Sequence, residues 1–208
     1  MKTYRKRSLK RTLGAAAGAV VIFGLVLLTL TSLDGGATAS AETTARKGVV
    51  ERIVEKAHPK AEAPESKALK LTVPDMVRVK NVPVADAARN NEEKALHEGV
   101  LHVKGTGFPW DSGSNVYIAG HRLGFPGTKS DRVFWDLNEL KKDDEIVLTD
   151  ANGTRYTYRV FKKFVVDPTD VHVTRPVAGK DVVSLQTCTL PDYSRRLIVQ
   201  GELASVEK

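Results

Sequence analysis

A chain of 208 residues has room for one ordinary domain and a topogenic segment. Its formal charge of +7 would suit nucleic acid, but Lys2, Arg5, Lys6, Arg7, Lys10 and Arg11 carry six of those charges and no acidic side chain precedes Asp34. Only +1 is left for everything after Leu33, so the basicity is an amino-terminal cluster and binding to a phosphate backbone loses its main support.

Residues 1–12 read as a short cytoplasmic basic segment. The uncharged run Leu13 to Leu33 follows; at about 1.5 Å per residue it spans roughly 30 Å, the thickness of a bilayer's hydrocarbon core. The positive-inside rule keeps the amino terminus cytoplasmic and sends the remainder outside. Ala37-Thr38-Ala39 offers a signal-peptidase-like site, but the apolar run is longer than a typical signal core, so an uncleaved single-pass anchor is the expectation. Either way the domain is expected outside the cytoplasm. Residues 34–68 are rich in Ala, Thr, Glu and Lys and are read as a solvated stalk. A short helix over Thr44 to Ala57 is expected within it, limited by Pro59 and Pro64.

From Leu69 to Lys208 the texture is that of a folded domain. Leu69 to Val73 and Met76 to Val79 read as strands separated by Pro74-Asp75, and Asp86 to His97 as a helix ended by Glu98-Gly99. Val100 to Val103 is a strand, Gly105 to Ser114 a loop, and Val116 to Ala119 a strand running into Gly120-His121. An irregular segment, Arg122 to Asp131, comes next. Glu145 to Thr149 and Thr154 to Val166 flank Asn152-Gly153, a strong hairpin signal. Asp181 to Thr187 and Arg196 to Leu203 are the last strands, joined by the loop Cys188 to Arg195. Many short strands and few helices predict a mostly β protein, a closed or nearly closed barrel.

Cys188 is the one cysteine of a chain expected in an oxidising compartment, so it is buried, joined to another chain, or kept for its reactivity. A reactive thiol needs a proton acceptor or a cation beside it. Five histidines are available. His58 lies in the stalk, His97 on the short helix, His172 in a turn, and His102 alternates within a strand, a structural setting. His121 closes an apolar strand just after glycine, where a side chain is presented at a sheet rim. Arg196 opens the last strand and could stabilise an oxyanion beside Cys188, whereas Arg195 reads as a solvated charge. One cysteine and scattered histidines fit no zinc spacing, and the glycines of Gly105 to Gly113 precede no Gly-Lys-Ser/Thr, so neither metal nor phosphate-loop cofactor is expected.

Leu185-Gln186-Thr187-Cys188, then Arg196-Leu197-Ile198-Val199, with Ala119-Gly120-His121-Arg122 upstream, resembles a sortase over roughly Leu69 to Leu203. The Cys-to-Arg spacing and the Gly-His-Arg triplet are most similar to the class E enzymes of actinobacteria. The resemblance implies an eight-stranded barrel and a membrane-anchored cysteine transpeptidase without a cofactor. Such an enzyme cleaves a Leu-Pro-x-Thr-Gly or Leu-Ala-x-Thr-Gly sorting signal on a secreted protein between Thr and Gly, and passes the protein to an amine of a cell-wall precursor. It implies Cys188 as the nucleophile that forms a thioacyl intermediate, His121 as proton donor and acceptor, Arg196 as the group binding substrate and oxyanion, and Thr187 in support. Ser184 departs from a commoner threonine, and Arg122 to Asp131 departs from the shorter class A loop. The competing reading is a catalytically silent extracytoplasmic barrel that binds ligands and buries Cys188 as a core thiol. Another cysteine peptidase fold would place cysteine before histidine on a helix, the reverse of the order here.

Overall fold

The computed structural model describes residues 61–86 and 91–208. Eight strands close into a barrel: β1 (Leu69–Thr72), β2 (Val82–Asp86), β3 (Val100–His102), β4 (Asn115–Gly120), β5 (Glu145–Thr149), β6 (Arg155–Val166), β7 (Val182–Cys188) and β8 (Arg196–Glu207). Around the barrel they run β1-β2-β3-β4-β7-β8-β6-β5, and β5 returns to pair with β1. The mostly β barrel expected from the sequence is therefore the fold. Closure leaves no free sheet edge, which suits an assembly of strands as short as three residues.

Alternation sets the core. Tyr156, Tyr158 and Val160 of β6 point inward and are buried, while Arg155 and Arg159 between and beside them reach solvent. β4 is different, because nearly all of it is buried on both faces. Its inner face carries Val116 and Ile118; its outer face is covered by the β6–β7 connection, where Asn115 Nδ2 donates to the carbonyls of Val173 and Arg175, both at 3.1 Å. Those acceptors belong to a single 3-10 turn, Val171–Thr174, and its exit.

Several expected boundaries change. Met76 to Val79 is not a strand but a pair of turns, closed by Met76 N to Val73 O and Val79 N to Met76 O, both 2.9 Å. Met76 and Val79 are buried and Val77 is 90% exposed, a spacing of three that suits a turn and not a pleat. β2, unassigned from the sequence, fills the place of that strand. Of the expected helix Asp86 to His97, the described helical part is α1 (Glu92–His97); Asp86 ends β2, and residues 87–90 lie outside the described residues. β8 runs on past Leu203 to Glu207. Residues 132–140, given no element from the sequence, are a run of turns that supplies Val133, Phe134, Leu137 and Leu140 to the core.

At the start of the described residues, Ala61 packs into the core, so the segment read as a stalk touches the barrel from there. The rest of that stalk, its expected helix, the basic segment and the expected anchor lie outside the described residues. Among the described residues no helix is long and apolar enough to cross a membrane.

Candidate active site

Strand register brings the candidate residues together. Cys188, the last residue of β7, is the direct antiparallel partner of Arg196, the first of β8, and direct partners project from the same face. β4 lies parallel to β7 on the other side, with Ala119 opposite Gln186. One step further, the hydroxyl of Thr187 donates to the carbonyl of Gly120 at 2.8 Å. Both chains then advance by one residue, to His121 and to Cys188. Alternation from Ala119 and Gln186 gives those two the same face. The side chains of Cys188 on β7, Arg196 on β8 and His121, one residue past the end of β4, thus lie together at one end of the barrel.

That face is the outer one. Val183 and Leu185 point into the core, so Ser184, Gln186 and Cys188 point away from it. Cys188 is a free thiol of intermediate exposure, as are the side chains of His121 and Arg196. The competing reading of a buried core thiol does not fit this placement, since Cys188 faces away from the core and is half-exposed.

Each member is held by local structure. Gly120 must be glycine for packing reasons: a Cβ there would stand 2.7 Å from the ring of Phe134 and 3.1 Å from Val100. The backbone N–H of Phe134 donates to the carbonyl of His121 at 3.0 Å, so the turn-rich segment locks the strand end that carries the imidazole. Arg196 donates from Nη1 to the carbonyls of Tyr193 (3.0 Å) and Arg195 (3.2 Å), which restrains the guanidinium against the β7–β8 loop. That loop is cross-braced by Thr189 N to Arg195 O at 3.0 Å and Tyr193 N to Thr189 O at 3.0 Å.

Electrostatics separate the groups. Burial holds His121 below the ordinary imidazole pKa, and the positive charge available to His97 pushes the same way. The ring therefore rests neutral at pH 7, the form that accepts a proton. The phenol of Tyr117 is raised well above its usual value by burial, with the Arg196 charge opposing. Its hydroxyl donates to Oε1 of Gln186 at 2.8 Å, forming part of the floor beside Cys188. Deeper along the same face, Ser184 donates to Asn115 Oδ1 (2.8 Å) and accepts from Gln200 Nε2 (3.0 Å). The serine that departs from threonine thus still supplies the hydroxyl this buried network requires.

The other residues weighed from the sequence fall elsewhere. His102 is buried, its Nε2 3.0 Å from both Gly107 O and Thr106 Oγ1, a structural histidine as expected. His172 is exposed in the 3-10 turn, and Arg195 pairs with Asp167 at 3.4 Å on the surface. His58 lies outside the described residues. Sequence reasoning missed Tyr117, Gln186 and the contacts of His97 and Phe125 around His121. Counting back by twos from Cys188 and from His121 would have found the first two, because they share its face.

Known proteins resemble this chain in sequence and in fold. A sequence model described as the sortase domain matches residues 71–204. A sortase A of Streptococcus agalactiae serotype III (strain NEM316) is 35% identical over 91 residues, covering 43% of this chain and 36% of the relative, so the match spans little more than a third of that protein. Among solved structures, a lid mutant of sortase A from Corynebacterium diphtheriae superposes with a TM-score of 0.58 at 20% identity, covering 82% of this chain and 97% of that one. Sortase C2 of pilus island 1 from group B Streptococcus gives 0.58 at 25% identity, covering 78% and 98%.

Proposed function

The chain belongs to the sortase family of cysteine transpeptidases, and on that premise we propose that it is a membrane-anchored sortase attaching secreted proteins to a cell-wall amine. The observation that carries the reading is the convergence of Cys188, His121 and Arg196 on one solvent-reachable face. A silent binding barrel would have no use for a free thiol in that setting.

The proposed sequence of steps balances one proton throughout. The thiol of Cys188 gives its proton to the neutral ring of His121, and the thiolate attacks the carbonyl carbon of the substrate threonine. The negative oxygen of the tetrahedral intermediate develops beside the Arg196 guanidinium, which stabilises it. Collapse breaks the Thr–Gly bond, and the leaving glycine amine takes the proton back from His121, leaving a thioester on Cys188. An incoming amine then loses a proton to His121 and attacks the thioester; the sulfur leaves and is reprotonated. Thr187 supports the pair by tying the end of β7 to that of β4.

The finer assignments rest on the sequence. The Cys-to-Arg spacing and Gly120-His121-Arg122 favour a class E enzyme, whose signal would be Leu-Ala-x-Thr-Gly. Residues 13–33 would be the anchor, with residues 69–208 as the catalytic domain outside the cell. Mass spectrometry of the full chain, incubated with paired Leu-Pro-x-Thr-Gly and Leu-Ala-x-Thr-Gly peptides, tests both levels. A thioacyl adduct ending in threonine, absent from Cys188→Ala, is expected, with the alanine peptide giving more of it. His121→Ala and Arg196→Ala should each lower product formation by about a hundredfold or more. No adduct with either peptide would overturn the transpeptidase, and preference for proline would overturn class E alone.

A further inference from the structure

In the mechanism above, nothing yet orients His121. Among the described residues no side chain hydrogen-bonds its ring, and its one backbone bond is made by the carbonyl. A histidine that exchanges a proton with a nucleophile ordinarily has a third group that fixes its ring. The ring contacts supply one. Phe125, four residues on, meets the imidazole edge-on, with centroids 5.7 Å apart and planes at 84°. On its other side Phe125 is stacked on His97 of α1, at 3.6 Å and 14°. The edge-on contact with His121 is the arrangement aromatic pairs favour, and the close stack with His97 backs the Phe125 ring from its other face.

The loop is built to keep that ring in place. Thr128 donates to the carbonyl of Phe125 from its hydroxyl (2.7 Å) and from its backbone N–H (3.1 Å). The N–H of Phe125 donates to Oγ of Ser130 at 3.3 Å, and Ser130 itself is fully buried. At Gly124 an added Cβ would lie 2.2 Å from the Ser130 carbonyl oxygen, so the backbone closes on itself just before the phenylalanine. Phe125 remains 42% exposed at the surface, and its ring contacts are with the two histidines that flank it.

We propose that Phe125, backed by His97, is a positioning residue that fixes the ring of His121 for proton exchange with the Cys188 thiol. The proposal rests on the reading of His121 as the proton carrier and adds to it the group that aims the ring. It also gives the long loop Arg122 to Asp131 a task. Thr128, Ser130 and Gly124 serve to return one aromatic ring against the histidine just before the loop.

The test uses the full chain in detergent, with a sorting-signal peptide and hydroxylamine as acceptor. For Phe125→Ala, kcat should fall by about tenfold with KM within about twofold, the pattern of a proton carrier that loses its aim while substrate binding is kept. Phe125→Trp and Phe125→Tyr, which keep an aromatic face, should restore most of the rate, and Phe125→Leu, which keeps only apolar bulk, should not. His97→Ala should lower kcat by about threefold, with His97→Phe restoring it. A second readout needs no turnover: the His121 ring resonances, titrated by NMR, should move toward the ordinary pKa of 6.5 in Phe125→Ala and stay near the wild-type value in Phe125→Trp. Wild-type kcat in Phe125→Ala, or equal rates for the leucine and tryptophan variants, would overturn the positioning role. If the wild-type chain turns over no peptide, the transpeptidase reading fails instead. The NMR titration then decides the clamp by itself, an unchanged His121 titration in Phe125→Ala overturning it.

Discussion

At His121, one half-buried imidazole gives the protein a pH response near neutrality. Its ring titrates below 6.5, because burial and the His97 charge both disfavour the imidazolium. The base form is therefore lost only at a pH lower than for a solvated histidine, and the acidic limb of kcat/KM should bend below 6.5. The same shift bears on stability. Between the folded pKa and 6.5 the unfolded chain holds the proton that the folded chain lacks, so this contribution is present above 6.5 and is lost as pH falls through the folded value. His121→Asn removes the titration, and its urea midpoint should change less between pH 7 and pH 5 than that of the wild type. An equal change in both proteins would exclude His121 as the source.

Two strand ends decide whether the imidazole and the thiol meet, and one hydroxyl joins them. Thr187 donates to the Gly120 carbonyl from a buried position, at the last step before His121 and Cys188. Thr187→Val keeps the shape and deletes the donor, so it should cost about 1 kcal/mol of stability. Because the bond sits next to the reacting groups, kcat should also fall, by about tenfold, and Thr187→Ser should recover both. Denaturant titration and steady-state rates check it; lost stability with an unchanged kcat would make Thr187 a structural residue alone. This pairing shows what the sequence could and could not reveal. The alternation of β6 and the Asn152-Gly153 turn were legible, because those signals are local. The parallel register of β4 on β7 was not, because 69 residues separate Tyr117 from Gln186 and no local pattern records which strands will be neighbours. Met76 to Val79 misled for a related reason: over four residues, burial at a spacing of three cannot be told from a strand until the hydrogen bonds of the turn are seen. Cys188, His121 and Arg196 could be picked out by residue type and order, yet Phe125 could not, since an aromatic on a glycine-rich loop has no pattern until its two imidazole neighbours are placed around it.

For the whole molecule, the single cysteine doubles as a topological probe. The barrel faces its thiol outward, and the amino-terminal charge cluster followed by residues 13–33 would hold that barrel beyond the membrane on a stalk. On the proposed reading, a sortase placed there would meet a secreted substrate as it emerges, and its thiol would stand on the side of the cell-wall amine. With one thiol in 208 residues, any label on the purified chain reports Cys188 and nothing else. Intact cells expressing the full chain, treated with a membrane-impermeant maleimide, should therefore label it, and Cys188→Ala should remain blank. The labelled chain should sediment with membranes and resist extraction by carbonate, as a spanning helix does and a surface-bound protein does not. Labelling that requires lysis would put the barrel on the cytoplasmic side. Labelled protein recovered from the medium would instead mean that the apolar run is a cleaved signal, which would free the enzyme from the membrane while leaving its chemistry intact.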